Sequence, residues 1–158
     1  MFNGKESPHL NFHSEFMHEA LQLAKKAADE KEIPVGAVVV RNLRIIGKGY
    51  NQTEKLNDPT AHAEMIAISS ACATAESKYL HNCAIYVTLE PCPMCAGAIV
   101  WSKLEKVIFG AADVRSGACG TIFNLAANRK LNHRAEVIQG VLEDDCSLLL
   151  KNFFTGRR

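Results

Sequence analysis

No apolar run in this sequence is long: the longest, residues 35–40 and 96–101, fall far below the roughly 18 consecutive apolar residues of a membrane-spanning helix. Excess charge is also missing, with 18 lysines and arginines against 17 aspartates and glutamates and a formal net charge of +1. That balance excludes a strongly basic nucleic-acid binder, so any contact with RNA must come from local groups. Residues 1–10 lack the lysine-led apolar run and small-residue cleavage site of a secretory signal, which sets the expectation of a cytoplasmic protein. Repeats, low-complexity tracts and linkers are absent as well. With 158 residues and 47% hydrophobic content there is enough for one core, and residues 1–158 are read as a single domain.

Six cysteines are present. In a reducing compartment a close pair reads as metal-binding or catalytic, while Cys72, Cys83, Cys119 and Cys146 read as free thiols packed as small hydrophobes. Apolar periodicity predicts a helix from about residue 11 through Phe16, Ala20, Ala24, Ala27 and Ala28, ended by Ile33-Pro34. Residues 35–40 and 44–50 predict a hairpin that leads to Asn51. A polar loop over 52–59 precedes an alanine-rich helix from 60 to about 75. Then come a strand at 83–89, a short helix from about 92 to 102, a strand at 106–110 and a glycine-rich loop over 111–120. The last third predicts a short helix near 122–128, a strand at 135–139 and a closing helix over 143–154. This alternation predicts an α/β fold, a three-layer α/β/α sandwich with a mixed central sheet of about five strands flanked by helices.

Two motifs carry chemistry: His62-Ala63-Glu64 and, after a strand, Pro91-Cys92-Pro93-Met94-Cys95. Each alone is ambiguous, because a Cys-x-x-Cys pair also serves redox chemistry or half of a structural zinc site, and a lone histidine is commonly structural. Together His62, Cys92 and Cys95 supply three ligands that zinc accepts, which leaves one coordination position for water, as in catalytic sites. A structural site needs a fourth ligand. Cys83, Cys72 and His81 are the candidates, and none belongs to a second ligand-spaced pair. A redox pair explains neither the His-Ala-Glu triplet nor the prolines on both sides of Cys92.

Residues two apart lie about 200° around a helix axis, so His62 and Glu64 reach one site only from the start of a helix, with Asp58 or Thr60 as the expected cap. Pro91 and Pro93 are tolerated only in a first turn, and Cys92 and Cys95, three apart, share a face. Both motifs are therefore predicted to open helices, whose N-terminal partial positive charge favours thiolates and an anion on the metal. Zinc lowers the pKa of bound water from about 16 to about 7. Glu64 is the expected proton carrier, taking a proton from that water and delivering it to a ring nitrogen and then to the leaving amine. Read plainly, Glu64 is also just an acidic first-turn residue that suits the helix dipole. Glu90 is a rival acid, expected to hold backbone N–H groups at the second helix start.

His-x-Glu followed by Pro-Cys-x-x-Cys is a signature already described for zinc deaminases of nucleobases. Beyond it the sequence resembles bacterial tRNA-specific adenosine deaminases, which convert the wobble adenosine of an anticodon to inosine. The resemblance runs from about Phe16 to Phe154. It is carried by Pro34-Val35-Gly36-Ala37-Val38, Asp58-Pro59-Thr60-Ala61-His62-Ala63-Glu64, Thr88-Leu89-Glu90-Pro91-Cys92-Pro93-Met94-Cys95-Ala96-Gly97-Ala98, Asn132-His133-Arg134 and Phe153-Phe154. It implies a cytidine deaminase-like fold, one Zn2+ per subunit on His62, Cys92 and Cys95, Glu64 as the catalytic residue, a tRNA anticodon stem-loop as partner, and a homodimer whose RNA groove uses both subunits.

It further implies that Asn51 hydrogen-bonds a flipped base, that the Ala63 backbone meets the base edge, that Val35 walls the pocket and that Asp113 lies near the neighbouring nucleotide. The residues also allow plainer roles: Asn51 ending a strand, Val35 in the core, Asp113 capping the glycine-rich turn. Phe153 and Phe154, near Lys151, Arg157 and Arg158, offer a stacking surface beside positive charge, or else core packing. His133 reads as an RNA contact or as a polar residue entering a strand. Departures from the family occur at Asn128-Arg129-Lys130-Leu131 and in the lack of a basic extension after Arg158, and they bear on RNA contacts rather than zinc. Deaminases of free guanine or cytosine share both zinc motifs, so a free nucleobase or nucleoside is the alternative substrate. A non-catalytic zinc-stabilised binding module is the more distant alternative.

Overall fold

The computed structural model describes residues 8–156, with side chains from residue 12 onward. Most of the 1–10 segment read for a secretory signal, and Arg157 and Arg158, lie outside the described residues. The elements run α1 (Pro8–Asp29), β1 (Gly36–Arg41), β2 (Arg44–Tyr50), α2 (Thr53–Leu56), α3 (Ala63–Ala75), β3 (Cys83–Leu89), α4 (Pro93–Trp101), β4 (Lys106–Ala111), β5 (Glu136–Gln139) and α5 (Glu143–Thr155). The strands form a mixed five-stranded sheet in the order β2-β1-β3-β4-β5. β1 pairs antiparallel with β2 and β3, while β3, β4 and β5 run parallel.

Period-two alternation sends the β-branched residues of the central strands to both sides. Val38, Val40, Tyr86 and Ile108 pack with Met17, Ala20 and Leu21 of α1 and Cys146 of α5. Ala37, Val39, Ile85, Val87, Val107 and Phe109 pack with Ala63, Ala67 and Ala71 of α3 and Ala96 and Ile99 of α4. The result is the expected α/β/α sandwich, with a core on each face of the sheet. Among the described residues no helix is long and apolar enough to cross a membrane. None of the six cysteines forms a disulfide, with Cys83, Cys119 and Cys146 buried and Cys72 half-buried.

Three expectations from the sequence need correction. The loop at 52–59 contains the short helix α2, whose capping group comes from elsewhere in the chain (below). The alanine-rich helix starts at Ala63 rather than residue 60, and neither Asp58 nor Thr60 caps it. Asp58 Oδ1 instead accepts the Thr60 N–H at 2.8 Å and the Thr60 hydroxyl at 2.7 Å, closing a local turn. The helix expected near 122–128 does not form. Cys119 and Asn124 make an isolated bridge, the Asn124 side chain takes the Ala127 N–H and the Asn128 side chain takes the Lys130 N–H, so polar side chains compete away the helical bonds.

α3 lies unusually close to the sheet because small residues face each other. Ala63, Ala67 and Ala71, four apart on one helix face, sit over Gly49 and Gly47 of β2. A Cβ at Gly49 would collide with the Ala63 carbonyl and lie 2.7 Å from the Ala67 nitrogen, whereas one at Gly47 would meet Ala67 and Ala71 one turn later. Gly49→Ala and Gly47→Ala are each expected to destabilise the protein by about 1–3 kcal/mol, read as a lower urea midpoint. Only Gly49→Ala should also weaken zinc binding, because only its contact falls on the first turn that carries His62 and Glu64.

Candidate active site

The site forms where two helices begin. His62 is the N-cap of α3 with φ −72° and ψ 153°, and Cys92 is the N-cap of α4 with φ −72° and ψ 173°. Neither makes a side-chain capping bond, so their extended backbones leave the side chains free to turn towards each other. Pro93 occupies the first turn of α4, where a missing N–H costs nothing. Cys95 follows three residues after Cys92, on the same face.

His62 Nδ1 lies 3.6 Å from Cys92 Sγ and 3.6 Å from Cys95 Sγ. A tetrahedral zinc with bonds of about 2.1 Å to nitrogen and 2.3 Å to sulfur has N···S edges of about 3.6 Å, so the residues fit that ion. Among the described residues these three are the group of His, Cys, Asp or Glu side chains whose ligand atoms gather within 4.8 Å of one another. Among the described residues no fourth protein ligand joins them. Cys83, considered as one from the sequence, donates instead to the His81 carbonyl.

Glu64 sits beside the ligands and is not one of them. Its carboxylate accepts from Cys95 Sγ at 3.2 Å and is 4% exposed. Burial holds its carboxyl above the ordinary value, so it can carry a proton nearer neutral pH. The Cys92 thiol is pushed down to about 4, first by the adjacent Cys95 and then by His62. Cys95 is pushed up by the same contact and by burial. The Cys92 thiolate in turn raises His62. Zinc takes cysteine as thiolate and histidine as neutral imidazole, so metal binding would release the protons these groups carry.

A cavity of about 220 Å³ opens onto this group. It is smaller than the roughly 300–1,000 Å³ of drug-sized ligand sites and suits a single planar base. Five chain segments frame it: Ile33 and Val35 before β1; Asn51 and Thr53 after β2; His62, Ala63 and Glu64 at the start of α3; Leu89, Glu90 and Cys92 before α4; and Asp113 and Ser116 of the loop after β4.

The singled-out residues that lie within the described part of the chain are placed as follows. Asn51 is 7% exposed and lines the cavity, with its Nδ2 donating to the Ile33 carbonyl at 3.3 Å and its Oδ1 accepting the Thr53 N–H at 3.4 Å. Val35 both lines the cavity and packs in the core. Asp113 reaches the cavity while its carboxylate takes the N–H groups of Arg115 and Ser116 and the Ser116 hydroxyl, the turn-capping role. Phe154 does not line the cavity; it is 49% exposed on α5, edge-on to Phe153. His133 Nε2 pairs with the Leu104 carbonyl at 2.6 Å, the plainer of its two readings. Glu90 does not hold the start of α4 but the loop after β4. Ile33, Thr53, Leu89 and Ser116 were not singled out, because nothing local separates them from ordinary loop and strand residues.

A family model for the cytidine and deoxycytidylate deaminase zinc-binding region matches residues 10–111. The chain is 48% identical over 143 residues to a tRNA-specific adenosine deaminase of Bacillus subtilis (strain 168), spanning 90% of this chain and 89% of that protein. It is also similar to a solved structure from a study of A-to-I editing by tRNA:A34 deaminases at the wobble position of transfer RNA. That structure aligns with TM-score 0.83 and 37% identity, over 86% of this chain and 99% of that one. A guanine deaminase of Bacillus subtilis aligns with TM-score 0.61 and 41% identity over 63% of this chain and 64% of that one.

Cys95→Ala is expected to lose zinc on dialysis, measured by atomic absorption. Cys83→Ala, whose thiol points away to His81, should keep one zinc per chain; zinc retained by the first variant would mean that other ligands hold it.

Proposed function

The chain belongs to the family of tRNA-specific adenosine deaminases, and from that membership we propose that it deaminates adenosine to inosine at the wobble position of a tRNA anticodon. The observation that carries this reading is a three-ligand zinc site with a buried carboxylate 3.2 Å from one ligand, opening into a base-sized cavity. Zinc, when bound, supplies the Lewis acidity that makes water nucleophilic near neutral pH. Deamination adds water at the purine carbon bearing the amino group, and ammonia leaves only after the amine is protonated. Glu64 is the catalytic residue that moves these protons; burial both raises its affinity for a proton and keeps it from bulk water.

The remaining groups bind and orient. The Ala63 N–H, in the first turn of α3, has no intrahelical acceptor and is available to the base edge. Asn51 offers a second hydrogen-bonding group, Val35 and Leu89 exclude water, and Asp113 faces the neighbouring nucleotide. A cavity of about 220 Å³ takes a single base and not a base pair, so an RNA base must be extruded to enter it, and a loop nucleotide is cheaper to extrude than a paired one. The half-exposed Phe154 beside Lys151 gives RNA a stacking and charge contact outside the cavity.

We take residues 1–158 as one deaminase domain acting in the cytoplasm with its tRNA. We also propose a homodimer. α4 presents Trp101 at 78% exposure and Gly97 with open space where a Cβ would stand, a bare apolar face that a second copy would cover.

Glu64→Gln should fold and keep zinc while losing activity on an anticodon stem-loop by about 10²- to 10⁴-fold. An active Glu64→Gln protein would refute the proton-carrier role, and activity on free guanine or cytosine alone would refute the RNA assignment. Trp101→Asp should shift the protein from dimer to monomer in analytical ultracentrifugation.

A further inference from the structure

Among the described residues three carboxylates are buried: Glu64, which serves the reaction, and Glu32 and Glu90, each 1% exposed, which do not. Both of the latter spend their oxygens on backbone N–H groups of segments that frame the cavity. Glu32, just after α1, accepts from the Glu54 N–H at 2.8 Å and the Lys55 N–H at 3.2 Å. These are first-turn donors of α2, whose N-cap Gln52 makes no side-chain bond, so Glu32 supplies the cap from a distance in sequence. The turn it holds carries Asn51 and Thr53 to the cavity.

Glu90 is more fully engaged. Its Oε1 accepts from the Asp113 N–H at 3.2 Å and from the Thr121 hydroxyl, and its Oε2 accepts from the Cys119 N–H at 3.0 Å and the Thr121 N–H at 3.2 Å. A carboxylate offers about four acceptor positions, so none is left for substrate or for proton transfer, which removes Glu90 as a rival acid. Gly117 passes so near that a Cβ there would collide with this carboxylate. The loop that Glu90 holds delivers Asp113 and Ser116 to the cavity.

We propose that Glu32 and Glu90 are positioning residues for substrate. Each fixes one cavity-framing segment, so that the contacts to the flipped base and the flanking nucleotide are assembled before RNA arrives. Pre-organisation of this kind raises affinity by removing ordering cost from the binding step. Because it favours bound substrate and transition state alike, it is expressed in KM rather than kcat. The inference rests on the tRNA substrate reading above.

The test uses the full zinc-loaded chain, a synthetic stem-loop with adenosine at the wobble position, and amide hydrogen exchange followed by mass spectrometry. In Glu90→Gln and Glu32→Gln one acceptor oxygen becomes an amide donor facing N–H groups. Glu90→Gln should speed exchange over 113–121 and leave 53–55 unchanged; Glu32→Gln should do the reverse. Each should raise KM about tenfold with kcat within about threefold and zinc at one per chain. Thr121→Val, which removes only a hydroxyl from an exposed residue, should show the Glu90→Gln exchange pattern with a rise in KM of about threefold, even if Glu90→Gln folds poorly.

A merely structural role predicts a lower unfolding midpoint with KM and kcat unchanged, and that result overturns the proposal, as does a fall in kcat at constant KM. Should the wild-type protein leave the stem-loop untouched, the substrate reading is overturned; wild-type activity with unaltered KM in the variants overturns the positioning role alone.

Discussion

Two helices have to begin at one point, and the rest of the site follows from that constraint. An N-cap residue has extended backbone and its side chain usually folds back to accept an N–H of the first turn, but His62 and Cys92 make no such bond and turn to each other. Here the two N-caps are a histidine and a cysteine, so the caps serve each other rather than their own helices. The positions that would normally satisfy N–H groups with serine or aspartate are given to zinc ligands, and stability lost there is made up by packing. For α3 that packing is the alanine stripe against Gly47 and Gly49, which brings its first turn close to β2 and fixes where His62 and Glu64 stand. For α4 it is the burial of Cys95, Ala96, Ile99 and Val100.

The same residue type does opposite work in three buried places, and the number of donors around it decides which. Glu90 meets three N–H groups and a hydroxyl, Glu32 meets two N–H groups, and each becomes a fixed staple between distant parts of the chain. Glu64 is equally buried and meets a thiol, so desolvation dominates and its proton affinity rises. A carboxylate saturated by donors is structural, and one left short of donors is available for chemistry.

What the sequence revealed and what it hid divides along the same line. The zinc ligands and the start of α4 were legible, because ligand chemistry, i to i+3 spacing and first-turn prolines are local facts visible at Cys92, Pro93 and Cys95, whereas the start of α3 lay three residues beyond the expected one. The strands were legible because the apolar runs at Val38, Ile85 and Ile108 bury both faces of the sheet. α2 was not, since its cap arrives from Glu32, 22 residues before the Glu54 amide it holds. The segment after β4 was not either. Its course is set by Glu90, 29 residues before the Cys119 amide, and by asparagine side chains that outbid helical bonds at Asn124 and Asn128. Long-range polar contacts leave no periodicity to read.

The metal-site groups and the residues that frame the rest of the cavity therefore come from different parts of the fold. His62, Glu64, Cys92 and Cys95 sit on the first turns of α3 and α4, held by core packing that any base-sized substrate leaves undisturbed. Asn51, Asp113 and Ser116 lie outside the named helices and strands and Thr53 opens the short helix α2, all on segments held by two carboxylate staples. Such an arrangement lets the framing segments vary with the nucleic acid or free base to be bound while the hydrolytic centre stays as it is. On the reading proposed above, a chain with a net charge of only +1 would serve a polyanion through pre-positioned hydrogen bonds around one extruded base, with charge needed only locally.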